Sequence, residues 1–361
     1  MPIPVASDAW LDTIHREYLA EYIKSGGSTV KFISGETATL ADVQARLHSL
    51  AQNENYFHVH LDAAQTLPDD KRPDLHRIDR FFFAVTESVD WGAKTTEEAK
   101  RYLDSRGVVI QPGRALNDLD GIAADNGRTP TDLINQFQRE LVTGYIKDQA
   151  MALEFRTAIS ALVRAQLLPD TMTPTTEEVL LKWFAGRTMP GAAAALKKIH
   201  IFERITRANA RHMLASFCRW LPRAGHDGLV VTLDFRPYEY KKLARTRRQA
   251  DTLDRLREAI AARASWDRLD AILAEDAAEP TVSYSDLAFM QMLAQLRRFI
   301  DEIDWFERFM LVVLTTPRFY DGSSPRNYWA YDALQSRIGL EVHDVQRANP
   351  TAALVHLGGA I

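Results

Sequence analysis

The sequence has few of the features that mark secreted or membrane proteins. Its one cysteine, Cys218, cannot form an internal disulfide, and the apolar stretch MLASFCRWL around it predicts a buried structural thiol. No apolar run approaches the roughly 18 residues that a membrane span requires. The first residues, MPIPVASDAW, show no basic segment followed by an apolar one, which a secretory leader would need. We therefore expect a cytoplasmic protein with no membrane contact.

An excess of positive charge is also absent. The 361 residues carry a formal net charge of −4, which argues against a wholly basic nucleic-acid binder but still allows a local basic patch. With 46% hydrophobic and 25% charged residues, the composition is that of a globular protein with one large domain or two closely packed ones.

Short apolar runs separated by long helical stretches make up most of the chain. GLVVTLDF (228–235) and RFMLVVLTTP (308–317) are almost continuously apolar, which is typical of strands buried on both faces of a parallel sheet. Residues 29–34 and 55–61 are further strand candidates, as are LEVHDV and AALVHL near the C-terminus. The pattern predicts an α/β fold with a three-layer core: its first part in residues 1–63, a helical insertion at 64–220, and its second part with the C-terminal strands at 221–361.

The stretch STVKFISGETATL (28–40) has the strand–glycine–helix order of a phosphate-binding loop. Such a loop holds phosphates with backbone N–H groups and a lysine, and magnesium with a hydroxyl. Past Gly35, however, there is no second glycine and no Gly-Lys-Ser/Thr ending. We expect a helix from about 41 to 50, with Thr39 or Asp42 as its N-cap. Gly35, Asp234 and Thr315 all fall at predicted strand ends, where ligands bind in such sheets.

Several stretches, taken in order, resemble a known family. They are GGSTVKFISG, NARHMLASFCRWLPRAGHDGLVVTLD, LRRFIDEI, FMLVVLTTPRFYD, YDALQSRI and NPTAALVHL. In these the chain resembles the P-loop ATP-binding proteins of BREX-type phage-defence systems over most of its length. The resemblance implies an AAA+-like, P-loop NTPase-like core with a mostly parallel sheet, interrupted by a large helical insertion.

The resemblance also implies where ATP would bind, and there the residues depart from the family pattern. The lysine position of the loop holds Ala41, and the hydroxyl position that binds magnesium holds Asp42, which would place a negative charge near phosphate. After the acidic Asp234, the position of the water-activating glutamate holds Phe235. The vestigial nucleotide-binding positions are therefore Gly35, Ala38, Leu40, Ala41, Asp42, Asp234, Phe235 and Thr315. We expect a protein that is not an enzyme and carries no cofactor.

These departures lead to a functional interpretation. We expect a pseudo-ATPase that serves as a structural or regulatory subunit of a multigene anti-phage system, BREX-like or methylation-associated. A domain that keeps its fold without its chemistry is retained for its surfaces, so we expect a hetero-complex with other subunits of the system.

Two alternatives remain open. The segment KKLARTRRQ follows the aromatic-rich FRPYEY, and its cations could contact DNA or the carboxylates of a partner; they are Lys241, Lys242, Arg245, Arg247 and Arg248. Because the whole chain is acidic, we favour the partner. The second alternative is a metal-dependent hydrolase, because HVHLD places His58, His60 and Asp62 on one face of a strand. We rank it last, since no second cluster of metal ligands accompanies it.

Overall fold

A single six-stranded, all-parallel sheet forms the centre of the protein. The structure is a computed structural model that describes residues 4–65, 73–240, 245–277, 283–338 and 352–358. The strands are β1 (Pro4–Val5), β2 (Ser28–Ser34), β3 (Phe57–Asp62), β4 (Leu229–Asp234), β5 (Phe309–Thr315) and β6 (Ala352–Leu357). Their spatial order is β1-β6-β2-β5-β4-β3. The predicted parallel sheet is confirmed, including the strand in AALVHL, whereas LEVHDV lies outside the described residues.

The continuous apolar runs reflect burial of both faces of the central strands. Every residue of β2, β4 and β5 is buried. Along β5, Leu311 and Val313 belong to the apolar cluster on one face, and Met310 and Val312 belong to the cluster on the other. The edge strand β3 instead alternates between buried and half-buried positions, because only one neighbour covers it. This two-sided burial explains why period-2 alternation is missing from the central strands.

Two helices cover one face of the sheet. They are α1 (Ser7–Thr13), which continues as a π-helical segment over Ile14–Ile23, and α2 (Thr37–Asn53). The prediction that α2 begins near residue 41 is wrong, because the helix begins at Thr37. The residue at its N-cap position is Glu36, not Thr39 or Asp42. Thr37 and Thr39 are weak helix formers around a strong one, so helix propensity alone leaves the starting residue undecided.

The helical insertion covers the opposite face. Its helices are α3 (Ile78–Glu87), α4 (Trp91–Ser105), α5 (Leu119–Asp125), α6 (Pro130–Leu141), followed by a π-helical turn at Val142–Ile146, α7 (Leu153–Leu167), α8 (Pro174–Phe184), α9 (Ala192–Lys198) and α10 (Ala210–Trp220), with a 3₁₀ turn at Pro169–Thr171. Thr129 caps α6 by accepting a bond of 3.1 Å from the N–H of Asp132, as Pro130 at the first position predicts. The insertion shares one apolar cluster with the sheet, and Cys218 is buried within it, as expected.

The remaining helices connect or follow the last strands. They are α11 (Arg236–Glu239), α12 (Arg245–Ala261), α13 (Trp266–Ala277), α14 (Asp286–Asp301), α15 (Arg318–Asp321) and α16 (Asp332–Gln335), with 3₁₀ turns at Ile303–Trp305 and Tyr328–Ala330. Ser285 caps α14 through the N–H of Ala288 at 3.1 Å. Within the described ranges, none of the helices is both long enough and apolar enough to span a bilayer.

Candidate functional site

The connection between β2 and α2 is too short to form a phosphate loop. Only Gly35 and Glu36 separate the last residue of the strand from the first residue of the helix. The N–H of Leu40 already bonds to the carbonyl of Glu36 at 2.9 Å, so the positions from Ala38 onwards are helical. A phosphate loop instead keeps its backbone open over several residues before the helix, so that N–H groups can point at the ligand. The structure therefore contains no backbone cradle after Gly35.

The positions of the missing lysine and hydroxyl lie on the exposed surface of α2. Ala41 and Asp42 are both exposed. The carboxylate of Asp42 pairs with Arg46 one turn further along the helix, at 3.3 Å, and Arg46 also contacts Asp8 on α1 at 2.7 Å. Asp42 is thus directed along the helix towards its C-terminal side, away from the strand ends.

The carboxylate of Asp234, at the end of β4, is paired with the neighbouring guanidinium of Arg236. Arg236 donates from Nε and Nη2 to the two carboxylate oxygens of Asp234, at 2.9 and 2.6 Å, and its backbone N–H adds a third bond at 3.1 Å. The hydrogen bond to Asp234 raises the pKa of Arg236, and the nearby charges of Glu239 and Asp62 act in the same direction. A bidentate pair of this kind neutralises the carboxylate that would hold magnesium in an active site.

Phe235, at the position of the water-activating glutamate, is a core residue. Its side chain is fully buried, and its ring lies 5.1 Å from that of Phe319 and 5.7 Å from that of Tyr238. Its backbone N–H bonds to the carbonyl of Leu314 on β5 at 3.0 Å. An apolar ring packed in this way cannot activate water.

A buried carboxyl group, Glu239, joins α11 to the end of β5. It accepts hydrogen bonds from the backbone N–H of Thr316 at 3.0 and 3.2 Å and also contacts the Thr316 hydroxyl. Burial raises the pKa of Glu239 to about 8, against the opposing effect of the Thr316 bonds. The neighbouring Thr315 donates to the carbonyl of Ile33 at 2.9 Å and contacts the Tyr320 hydroxyl, so it faces into the protein rather than towards a ligand.

The two histidines of β3 are held by neighbouring side chains. His60 contacts the Thr232 hydroxyl through Nδ1 at 2.9 Å, and Nδ1 of His58 lies 2.8 Å from Nδ1 of His48. Burial lowers the pKa of His58 to about 3, helped by the two neighbouring histidines, and also lowers that of His60. The carboxylate of Asp62 forms a local hydrogen bond, which it accepts from the Ala64 N–H at 2.7 Å. No group of three or more His, Cys, Asp or Glu side chains suited to a metal ion is found in the part of the chain that the structure describes.

The comparison with known protein families gives one match. Residues 119–266 match the family model described as BREX system ATP-binding protein BrxC/D. The predicted resemblance to this family is confirmed for residues 119–266. The match spans less than half of the chain, from the start of α5 through β4 to the first residue of α13. It includes Asp234 but not the segment from Gly35 to Asp42. No curated protein and no solved structure matches the chain.

The structure does not show what the cations of the basic segment (241–248) contact. Lys241 and Lys242 lie outside the described residues, and so do the side chains of Arg245, Arg247 and Arg248, although their backbone opens α12. The assignment of this segment to a partner or to DNA therefore stays a prediction.

Two residues of the strand ends were not found from the sequence. Arg236 and Glu239 both belong to FRPYEY, in which the aromatic side chains are the more obvious feature of the sequence. A charged pair Asp-x-Arg directly after a buried strand was a usable signal for the Asp234–Arg236 pair. The bond between Glu239 and Thr316 joins residues 77 positions apart, and no local pattern indicates it.

Proposed function

We propose that the chain is a non-catalytic, P-loop-like subunit of a BREX-type anti-phage system, with a structural or regulatory role. The observation that carries the proposal is the two-residue connection of Gly35 and Glu36 between β2 and α2. ATP binding in P-loop proteins depends on backbone N–H groups that surround the phosphates, and here the equivalent backbone is helical. The absent lysine removes a further charge-assisted bond, worth about 1.5–3 kcal/mol.

The acidic strand end supports the same proposal. Magnesium would have to compete with the guanidinium of Arg236 for the carboxylate of Asp234. A dication beside a guanidinium is repelled, and Mg²⁺ requires near-ideal octahedral oxygen coordination. With Phe235 in the core, no carboxylate stands beside Asp234 to activate water. Phosphate positioning, magnesium binding and water activation would all be missing.

A domain that keeps its fold without catalysis would act through the surfaces that bind its partners. A BREX system has several components, and we propose that this chain assembles in the cytoplasm with at least one other subunit, which performs the chemistry. Arg245 and Arg248 are our candidates for that contact, because they fall on one face of α12 at helical spacing.

Catalytic silence is tested by phosphate release from Mg·ATP. We expect no release above a control without protein, across a range of protein concentrations. Asp234→Ala provides the matched control, because it removes the acidic residue that every P-loop ATPase mechanism requires. Magnesium-dependent turnover that disappears in Asp234→Ala would refute the proposal.

Partner dependence is tested by co-purification of the tagged chain from its native operon. At least one other subunit of the defence system should be recovered, and Arg245→Glu/Arg248→Glu should abolish that recovery without unfolding the protein. The matched control is Arg139→Glu, at an exposed position of α6. Recovery of the chain alone, with phage resistance unchanged when its gene is deleted, would contradict a subunit role.

A further inference from the structure

A cleft between the helical insertion and α14 collects positive charge. It has a volume of about 280 Å³. The side chains that matter come from three separate parts of the chain: His76, Arg77, Arg207, Arg211, Gln295 and Arg298. No position assigned to the vestigial nucleotide site lines this cleft. Ligand binding in this cleft would therefore not depend on the proposed function.

The four guanidinium groups are not balanced by carboxylates. Arg77 and Arg207 both approach the buried Asp79, at 2.8 and 3.8 Å. Arg211 pairs with Glu302 at 3.0 Å. Arg298 has no carboxylate within ion-pair distance in the described part of the chain, and it is exposed. Asp79 and Glu302 pair with these arginines, and Asp74 acts on the neighbouring His76. The four guanidinium groups thus outnumber the described carboxylates near them, which leaves a net positive charge around a concave surface.

One of these arginines, Arg211, is placed where a positive charge is costly. Only 13% of the Arg211 side chain is exposed, and its Nη1 donates to the backbone carbonyl of Arg298 at 3.2 Å. Burial lowers the pKa of Arg211, and the neighbouring charge of Arg298 acts in the same direction, while Glu302 raises it. Like charges in a confined site repel each other, and an anion bound between them relieves that repulsion.

The other groups around the cleft suit an anion with several oxygens. The first residue of α3, Ile78, lines the cleft, so the N-terminal turn of that ten-residue helix faces it and adds partial positive charge. Gln295 is fixed by a bond from its Nε2 to the Leu75 carbonyl at 2.9 Å. Guanidinium groups form planar, bidentate bonds to phosphate, which is why arginine clusters recognise phosphorylated ligands.

We propose that this cleft binds phosphate groups, carried either by a small phosphorylated ligand or by a nucleic-acid backbone. Arg298 and Arg207 contact the phosphate oxygens at the open side, and Arg211 supplies a buried charge at the base.

The proposal is tested with the full chain and two probes. Inorganic pyrophosphate is titrated by calorimetry without magnesium, and a fluorescently labelled 20-base-pair duplex is titrated by anisotropy between 50 and 200 mM NaCl. The test variant is Arg207→Gln/Arg298→Gln, which removes two exposed charges and disturbs only the long contact to Asp79. The control is Arg139→Gln, exposed on α6 and not part of the cleft.

We expect the double variant to weaken binding of the recognised probe by tenfold or more, with the control unchanged and thermal melting of both variants as in the wild type. If pyrophosphate responds and the duplex does not, the source is a small ligand. If the duplex responds, the slope of log affinity against log salt should flatten by about 2, since each phosphate contact contributes about −0.9. Absence of binding by both probes, or equal binding by the wild type and the double variant, overturns the proposal.

Discussion

The strand-end edge and the arginine cleft differ in how their charges are balanced. At the strand ends, Asp234 is paired with Arg236, and Glu239 is bonded to Thr316. In the cleft, Arg298 has no carboxylate partner among the described residues, and Arg207 has only a distant one. Polar groups bonded to each other stabilise a fold, whereas unbalanced charges around a cavity are available to a ligand. The polar groups at the strand-end edge are therefore bonded within the protein, whereas the positive charge of the cleft is available to a ligand.

The buried carboxyl group of Glu239 gives the prediction with the largest expected effect on stability. Its pKa is about 8 in the folded protein and near the ordinary value of 4.5 when unfolded. Between these values the folded state holds a proton that the unfolded state has lost, so stability must fall as pH rises, and level off above pH 8. The wild type should lose about 1.4 kcal/mol per pH unit more than Glu239→Gln over this interval.

Urea unfolding at several pH values measures this difference. Glu21→Gln, at an exposed position, should follow the wild-type slope. Parallel curves for the wild type and Glu239→Gln would mean that Glu239 is ionised in the folded protein and that the strand-end edge is more open than we describe.

Breaking the Asp234–Arg236 pair should give the next largest effect. Asp234→Ala leaves the half-buried guanidinium of Arg236 without its partner, and we expect a loss of about 3 kcal/mol in the free energy of unfolding. Asp254→Ala breaks the exposed pair with Arg257 and should cost less than about 1 kcal/mol. Equal costs in urea unfolding at pH 7 would show that the strand-end pair contributes no more than a surface contact.

In the cleft, the corresponding change should cost little stability. Arg298→Gln removes an exposed charge that has no ion pair within the described part of the chain, so the free energy of unfolding should stay within about 0.5 kcal/mol of the wild type. Relief of repulsion with Arg211 favours a slight gain. A loss above 2 kcal/mol, measured in the same urea series, would show that Arg298 is a structural residue and would remove the contrast between the two regions.

Restoring the missing loop residues should have the smallest effect. In Ala41→Lys/Asp42→Thr the lysine and hydroxyl return to exposed positions of α2, but the backbone before them stays helical. We expect no ATP hydrolysis and a stability within about 1 kcal/mol of the wild type, with Asp42→Thr alone as control. Magnesium-dependent phosphate release from the double variant would show that two residues, and not the backbone, had closed the site.

Most of the fold followed from local patterns in the sequence. The continuous apolar runs indicated β4 and β5, which the structure confirms. Thr129 and Ser285 are of residue types that favour the start of a helix, and each caps one in the structure. Local patterns succeed here because burial on two faces and capping of a helix each depend on a few neighbouring residues.

The exact arrangement of residues at the strand ends depended on tertiary packing. The sequence placed Gly35, Asp234 and Thr315 at one edge of the sheet, but the start of α2 was wrong by four residues, because helix propensity does not determine an exact boundary.

The sequence by itself thus determined the parallel sheet and the helical segments, while the loss of the lysine, hydroxyl and glutamate positions is what the family resemblance implies. Only the tertiary structure decided that Gly35 and Glu36 alone connect β2 to α2 and that Glu239 is bonded to Thr316. It alone also brought Arg77, Arg211 and Arg298 together around one cleft. The physical reason is that burial patterns depend on residues close together in the sequence, whereas charge balance depends on side chains that packing brings together from distant positions.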